Sequence, residues 1–158
     1  MPFDFNADNI LEVAQQLERN GARFYRQAAE TVSDASNKSF LSELADMEAE
    51  HEATFGALRA ELSQNEKAGN LFTAQGDAGV YLQALADTRV FFEKEMDSQS
   101  IEDIYKTAIT AEKDSIVFYL GLKDMVSAAF GKGRIDEIID EEKEHLKLLS
   151  QKLIALKS

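Results

Sequence analysis

Two short stretches carry the residues best suited to chemistry, "MEAEHEATF" at 47–55 and "DEEKEHLKL" at 140–148. Each sets a glutamate three positions before a histidine, Glu48 with His51 and Glu142 with His145, and these are the only two histidines in the chain. On a helix that spacing is just under one turn, about 4.5 Å of rise, so both side chains share a face and can hold one metal ion between them. Two such pairs facing each other would hold two metals.

The elements that must position them read as helices. Period-2 alternation is essentially absent, and four long helical patterns are predicted over about 8–33, 37–66, 100–128 and 134–156. Asp8 is the expected N-cap of the first. "VSDAS" breaks the chain after it, Ser98 or Ser100 caps the third helix, and "FGKG" at 130–133 makes a turn before the fourth. The middle connection holds a loop at 67–79 and a short helical segment at 79–96. The crossover 67–99 carries Val90, Phe91 and Phe92, apolar residues suited to covering the bundle or meeting a partner subunit. Short links make antiparallel neighbours. One long crossover between helices 2 and 3 is the connectivity of a ferritin-like, all-α four-helix bundle, and residues 1–158 are expected to form a single domain of this kind.

The inward stripe of helix 2 runs Leu41, Leu44, Glu48, His51, Phe55, Leu58, and that of helix 4 runs Ile135, Ile138, Glu142, His145, Leu149. Glutamate and histidine therefore occupy the seam where hydrophobes belong. An ionised carboxylate there is costly unless it is paired or bound to metal. Helices 1 and 3 supply partners. Their stripes, Leu11, Glu18, Gly21, Tyr25, Ala28, Val32 and Tyr105, Ala108, Glu112, Ser115, Tyr119, Leu122, each hold one glutamate, then a small residue, then an aromatic pair, Phe24–Tyr25 and Phe118–Tyr119. Glu18 precedes Glu48 by 30 residues, as Glu112 precedes Glu142, so the halves look like an internal duplication of one helical hairpin.

The six residues Glu18, Glu48, His51, Glu112, Glu142 and His145 form the candidate metal site. Four carboxylates match the charge of two divalent cations, and this donor set suits iron, manganese or zinc. Gly21 and Ser115 are small enough to leave room for an oxidant beside the metals, or to let helices approach. Tyr25 and Tyr119 lie where a phenol can hydrogen-bond a ligand carboxylate, against the plainer reading of core packing. Glu50, Glu52, Glu141 and Glu144 flank the site and read as a solvated face. The bland alternative for the whole constellation is a buried hydrogen-bonded network without metal.

Composition sets the outer bounds. The formal net charge is −12 with no basic stripe, which argues against nucleic acid and against anionic membrane surfaces and favours solubility, with a negative field that concentrates cations as a second consequence. There is no cysteine, which excludes thiolate metal ligands within this sequence and agrees with a cytoplasmic location. No apolar run is long enough for a membrane span, and "MPFDFNADN" lacks the features of a secretory signal.

With these residues in view, "ERNGARFY", "ADMEAEHEATF", "AEKDSIVFY" and "DEEKEHLKLL" resemble the four metal-helix motifs of the rubrerythrin group, in order, over about 8–156. The resemblance implies that the six residues are di-iron ligands, with Glu48 and Glu142 bridging. It also implies reduction of hydrogen peroxide or O2, or ferroxidase activity, and a homodimer or larger homo-oligomer. Many rubrerythrins carry a rubredoxin domain; without cysteine here, electrons are expected from an external electron-transfer protein. Rubrerythrins also tend to carry a second glutamate three residues after the first on helix 3, which exchanges with a histidine as the iron changes redox state. Ser115 stands at that position, so a simpler six-ligand site is expected. Two readings of other classes stand beside the oxidoreductase: iron storage or delivery with incidental ferroxidase activity, and a structural bundle with a fortuitous zinc site.

Overall fold

The computed structural model describes residues 7–64, 84, 100–126 and 131–157. Four helices are present, α1 (Ala7–Thr31), α2 (Ala35–Gln64), α3 (Ile101–Met125) and α4 (Lys132–Leu156), and among the described residues there is no strand element. The predicted segments at 67–79 and 79–96 and the apolar residues Val90, Phe91 and Phe92 lie outside the described residues; Ala84 within that stretch is helical.

Local chemistry explains the helix ends. Ser100 caps α3 as expected, its hydroxyl accepting from the Asp103 amide at 3.2 Å, with Glu102 and Asp103 placed favourably in the first turn. Helix α2 starts two residues earlier than predicted because Asp34 caps it, accepting from the Asn37 amide at 2.9 Å. Helix α4 also starts two residues early. Gly131, with φ +152, is the residue just before the helix, leaving Gly133 inside it, and a Cβ at Gly131 would come within 2.6 Å of Leu58 Cδ2. Asp8 is not the N-cap of α1. The helix begins at Ala7, and the Asp8 carboxylate is engaged by Arg59 through bonds of 2.8 and 3.0 Å.

That pair ties the start of α1 to the far part of α2, and Arg19–Glu52 at 2.8 Å ties their middles, so the two helices run antiparallel. Lys123–Asp136 and Lys157–Glu102 do the same for α3 and α4. The resulting hairpins, α1–α2 and α3–α4, are the two halves of the bundle. The apolar core falls into two clusters. One gathers Leu11, Leu17, Phe55, Leu58, Leu122, Ile135 and Ile138; the other gathers Phe24, Ala28, Leu41, Leu44, Ile104, Tyr105 and Leu149. Each fully buried large side chain stabilises the fold by about 1.5–3 kcal/mol. That surplus lets the bundle tolerate a polar layer contributed by all four helices.

Candidate metal centre

The polar layer consists of the six residues picked out by spacing. Glu18 on α1, Glu48 and His51 on α2, Glu112 on α3, and Glu142 and His145 on α4 are all buried, the four glutamates to 1% exposure or less. Their side chains converge in two overlapping groups, Glu18–Glu48–His51–Glu142 and Glu48–Glu112–Glu142–His145. Within each group one potential ligand atom per residue lies within 4.8 Å of the others. Glu48 and Glu142 belong to both, the placement that two carboxylates shared by neighbouring ions require.

Both imidazoles present Nδ1 to the centre. His51 Nδ1 lies 2.9 Å from Glu142, 3.5 Å from Glu18 and 3.9 Å from Glu48. His145 Nδ1 lies 3.3 Å from Glu48, 3.5 Å from Glu142 and 3.6 Å from Glu112. The rings stack 5.8 Å apart at 23°. Their outer nitrogens differ in partner. His51 Nε2 is 2.6 Å from Glu141 Oε2, and His145 Nε2 is 3.3 Å from Met47 Sδ. An Nε2–H donated outward leaves the Nδ1 lone pair facing the centre, the form that binds metal.

The donors fit a pair of cations better than they fit each other. Glu18 Oε2, Glu48 Oε1, Glu112 Oε2, Glu142 Oε2 and His145 Nδ1 are buried without a hydrogen-bond partner among the described residues, although ion-pair distances are short. Buried polar atoms are rarely left so, and rarely five in one place. Protonation shows the same need. Burial, then the neighbouring carboxylates, push Glu48 and Glu142 well above the ordinary carboxylate range. Burial alone would lower both histidines, but Glu142 and Glu18 lift His51 to about 11, and Glu112 and Glu142 lift His145 to about 10. Against burial, hydrogen bonds and the imidazolium charges hold Glu18 low and take Glu112 to about 2. Free of metal, the cluster is thus driven toward neutrality by protons, two imidazoliums against two carboxylates. Two divalent cations balance four carboxylates and two neutral imidazoles equally well.

Tyrosine hydroxyls clamp the outer carboxylates from across the bundle. Tyr25 donates to Glu112 at 2.6 Å and Tyr119 donates to Glu18 at 2.5 Å. Burial and the adjoining carboxylates raise both phenols well above their ordinary value, so they stay protonated as donors. The phenylalanine before each tyrosine packs against it edge-on, at 5.5 and 5.9 Å, and Gly21 and Ser115 are buried at matching positions.

The solvated-face reading fails for Glu141. Its carboxylate is half-exposed, but it reaches from α4 to the outer nitrogen of His51 on α2. One position before a seam residue lies off the inward stripe of its own helix yet faces the neighbouring helix, and inspecting each helix alone hides this. Met47 on α2 was missed for the same reason. Glu52 pairs with Arg19 and Glu144 lies 3.8 Å from Lys147, both at the surface, as that reading expects.

Comparison with known proteins agrees with this geometry. No curated protein matches the chain. A solved structure from Thermotoga maritima, described as a candidate ferritin-like di-iron-carboxylate protein, shares 29% identity over 92% of this chain and 93% of its own, with a TM-score of 0.67. The family model for rubrerythrin matches residues 9–153, from the first turn of α1 to the last turns of α4 and across all six clustered residues. On its helices, its buried carboxylate–histidine layer and this match, the chain belongs to the rubrerythrin family.

Proposed function

We propose that this protein is a di-iron oxidoreductase that reduces hydrogen peroxide or O2, re-reduced by a separate electron donor. The observation that supports this most is the overlap of the two four-residue groups at Glu48 and Glu142, an arrangement that could hold two metal ions side by side. When bound, two iron ions supply two electrons, which with two protons convert hydrogen peroxide to two waters while each iron passes from ferrous to ferric. The chain's own residues do the rest. Glu18 and His51 would hold one ion, and Glu112 and His145 the other. The Tyr25 and Tyr119 hydroxyls, which stay protonated, hold the Glu112 and Glu18 carboxylates in one orientation by hydrogen bonding. The apolar clusters on either side restrict water at the reacting bond. Iron is the metal that fits the redox reading; manganese or zinc would occupy the same donors. Assembly as a homo-oligomer belongs to the same proposal.

Rapid mixing of the diferrous protein with hydrogen peroxide, and separately with O2, tests this. Oxidation of two irons per chain, with turnover when a reductant is present, is expected. Uptake of many irons per chain would point to storage instead, and no reaction with either oxidant would overturn the redox reading.

A further inference from the structure

The inner faces of the two metal positions are alike, but their outer faces are not. Met47 and Glu141 are equivalent residues of the internal repeat, each standing one position before the glutamate shared by both groups. They meet equivalent histidines across the bundle, His145 and His51, at Nε2. On one side the acceptor is a carboxylate at 2.6 Å, half-exposed and in contact with water. On the other it is a thioether at 3.3 Å, in a groove also lined by Phe40, Leu44 and Leu148. A carboxylate accepting the Nε2–H fixes the ring orientation and tautomer and makes Nδ1 a stronger donor to a cation. A thioether is a weak acceptor and does little of either.

We infer that Glu141 is a positioning residue that makes the two metal positions unequal, the one at His51 binding more tightly and filling first. This rests on the cluster being a metal centre and not on which oxidant it uses. Removal of such an outer partner typically lowers metal affinity 10–100-fold, which sets the expected gap between the two positions.

Cobalt(II) is the probe, followed by calorimetry and by its visible absorption, with no oxidant present. The parent protein should bind two ions in two resolved steps separated by about tenfold or more. His145→Ala should keep the tight step and lose the weak one, and His51→Ala the reverse. Glu141→Met, which copies the residue found in the other half, should weaken the tight step about 10–100-fold until the two steps merge. Glu141→Gln, whose amide oxygen still accepts from Nε2–H, should restore most of the separation. Met47→Glu should tighten the weak step, an outcome that a merely destabilised variant does not produce. Two equal steps in the parent, a tight step that survives His51→Ala, or a tight step unmoved by Glu141→Met would each overturn the inference. Absence of any cobalt binding would instead refute the metal centre itself, whereas normal two-step binding without peroxide or O2 reactivity would refute only the redox proposal.

Discussion

The α1–α2 hairpin and the α3–α4 hairpin present the same groups to the centre but differ at several positions further out. Glu18, Tyr25, Glu48 and His51 in the first half correspond to Glu112, Tyr119, Glu142 and His145 in the second. Even the tyrosine clamps are exchanged reciprocally, each half holding the other's outer carboxylate. One shell further out, Met47 stands where the second half has Glu141, and Gly21 where it has Ser115. The contrast follows from energetics. Four buried carboxylates tolerate no change that leaves a charge unpaired, whereas groups in contact with water or with an apolar groove can drift at small cost.

The largest test of the likeness is removal of a shared ligand. Glu48→Ala and Glu142→Ala should each abolish both metal positions, because each residue serves both groups. Glu18→Ala and Glu112→Ala should each remove one position and spare the other. Metal content by mass or emission analysis, alongside helicity to show that the bundle survives, reads this directly. If Glu48→Ala lost both ions while Glu142→Ala lost one, the carboxylates would not be shared symmetrically.

Proton exchange gives a somewhat smaller, collective effect. Loading two divalent ions should release about four protons, one each from Glu48, Glu142, His51 and His145, so affinity should climb as pH rises. The metal-free fold should show the opposite trend. His51 and His145 have raised folded pKa values, so their contribution is complete below the unfolded value of 6.5 and is lost as pH rises through about 10 and 11. Raised Glu48 and Glu142 add to that loss above 4.5, while lowered Glu112 contributes above 4.5 and is lost as pH falls toward about 2. The melting temperature in chelator should therefore be highest near pH 4.5 and decline from there toward pH 10. A metal-free protein that gains stability over that rise would contradict the protonated state assigned to the cluster.

The tyrosines should act equally in the two halves. Tyr25→Phe frees Glu112 Oε1 and Tyr119→Phe frees Glu18 Oε1, each removing a hydrogen bond to a charged group worth about 1.5–3 kcal/mol. Each variant should weaken cobalt binding about tenfold and by the same factor. Unequal losses would mean that the asymmetry reaches inside the carboxylate layer.

How much of this could be read without coordinates differs by distance from the centre. The six inner residues were legible because polar groups on a seam violate the 3.5–3.6 periodicity that otherwise predicts hydrophobes there, and because the violation occurs twice at the same interval. The tyrosines were legible only as to face, since whether Tyr25 reaches its own half's glutamate or the other's depends on how the hairpins pack. Glu141 was hidden among adjacent glutamates in "DEEKEH", where sequence cannot say which one a neighbouring helix approaches. Asp8 misled because capping preference describes an isolated helix end, whereas a guanidinium from α2 binds its carboxylate inside the first turn.

The smallest difference between the halves lies at the start of the hairpins. Arg59 on α2 grips Asp8 through two bonds and Gln15 through a third at 3.0 Å, whereas the equivalent position on α4 is Leu153, packed against the apolar cluster there. Arg59→Leu writes the second half's choice into the first. The pair is partly exposed to solvent, so its loss should cost about 1 kcal/mol, a fall in melting temperature of about 2–4 °C. Asp8 is held below its ordinary pKa by the Arg59 hydrogen bond, so the contribution is present above pH 3.8 and disappears as pH falls through the lowered value. Salt separates the two ways Arg59 can act. At about 1 M the screening length is near 3 Å, and a gap between parent and variant due to charge should close. A gap that persists in salt and in acid would assign the effect to the aliphatic stem of Arg59 lying along α1, and the halves would then differ at this end in packing rather than in electrostatics.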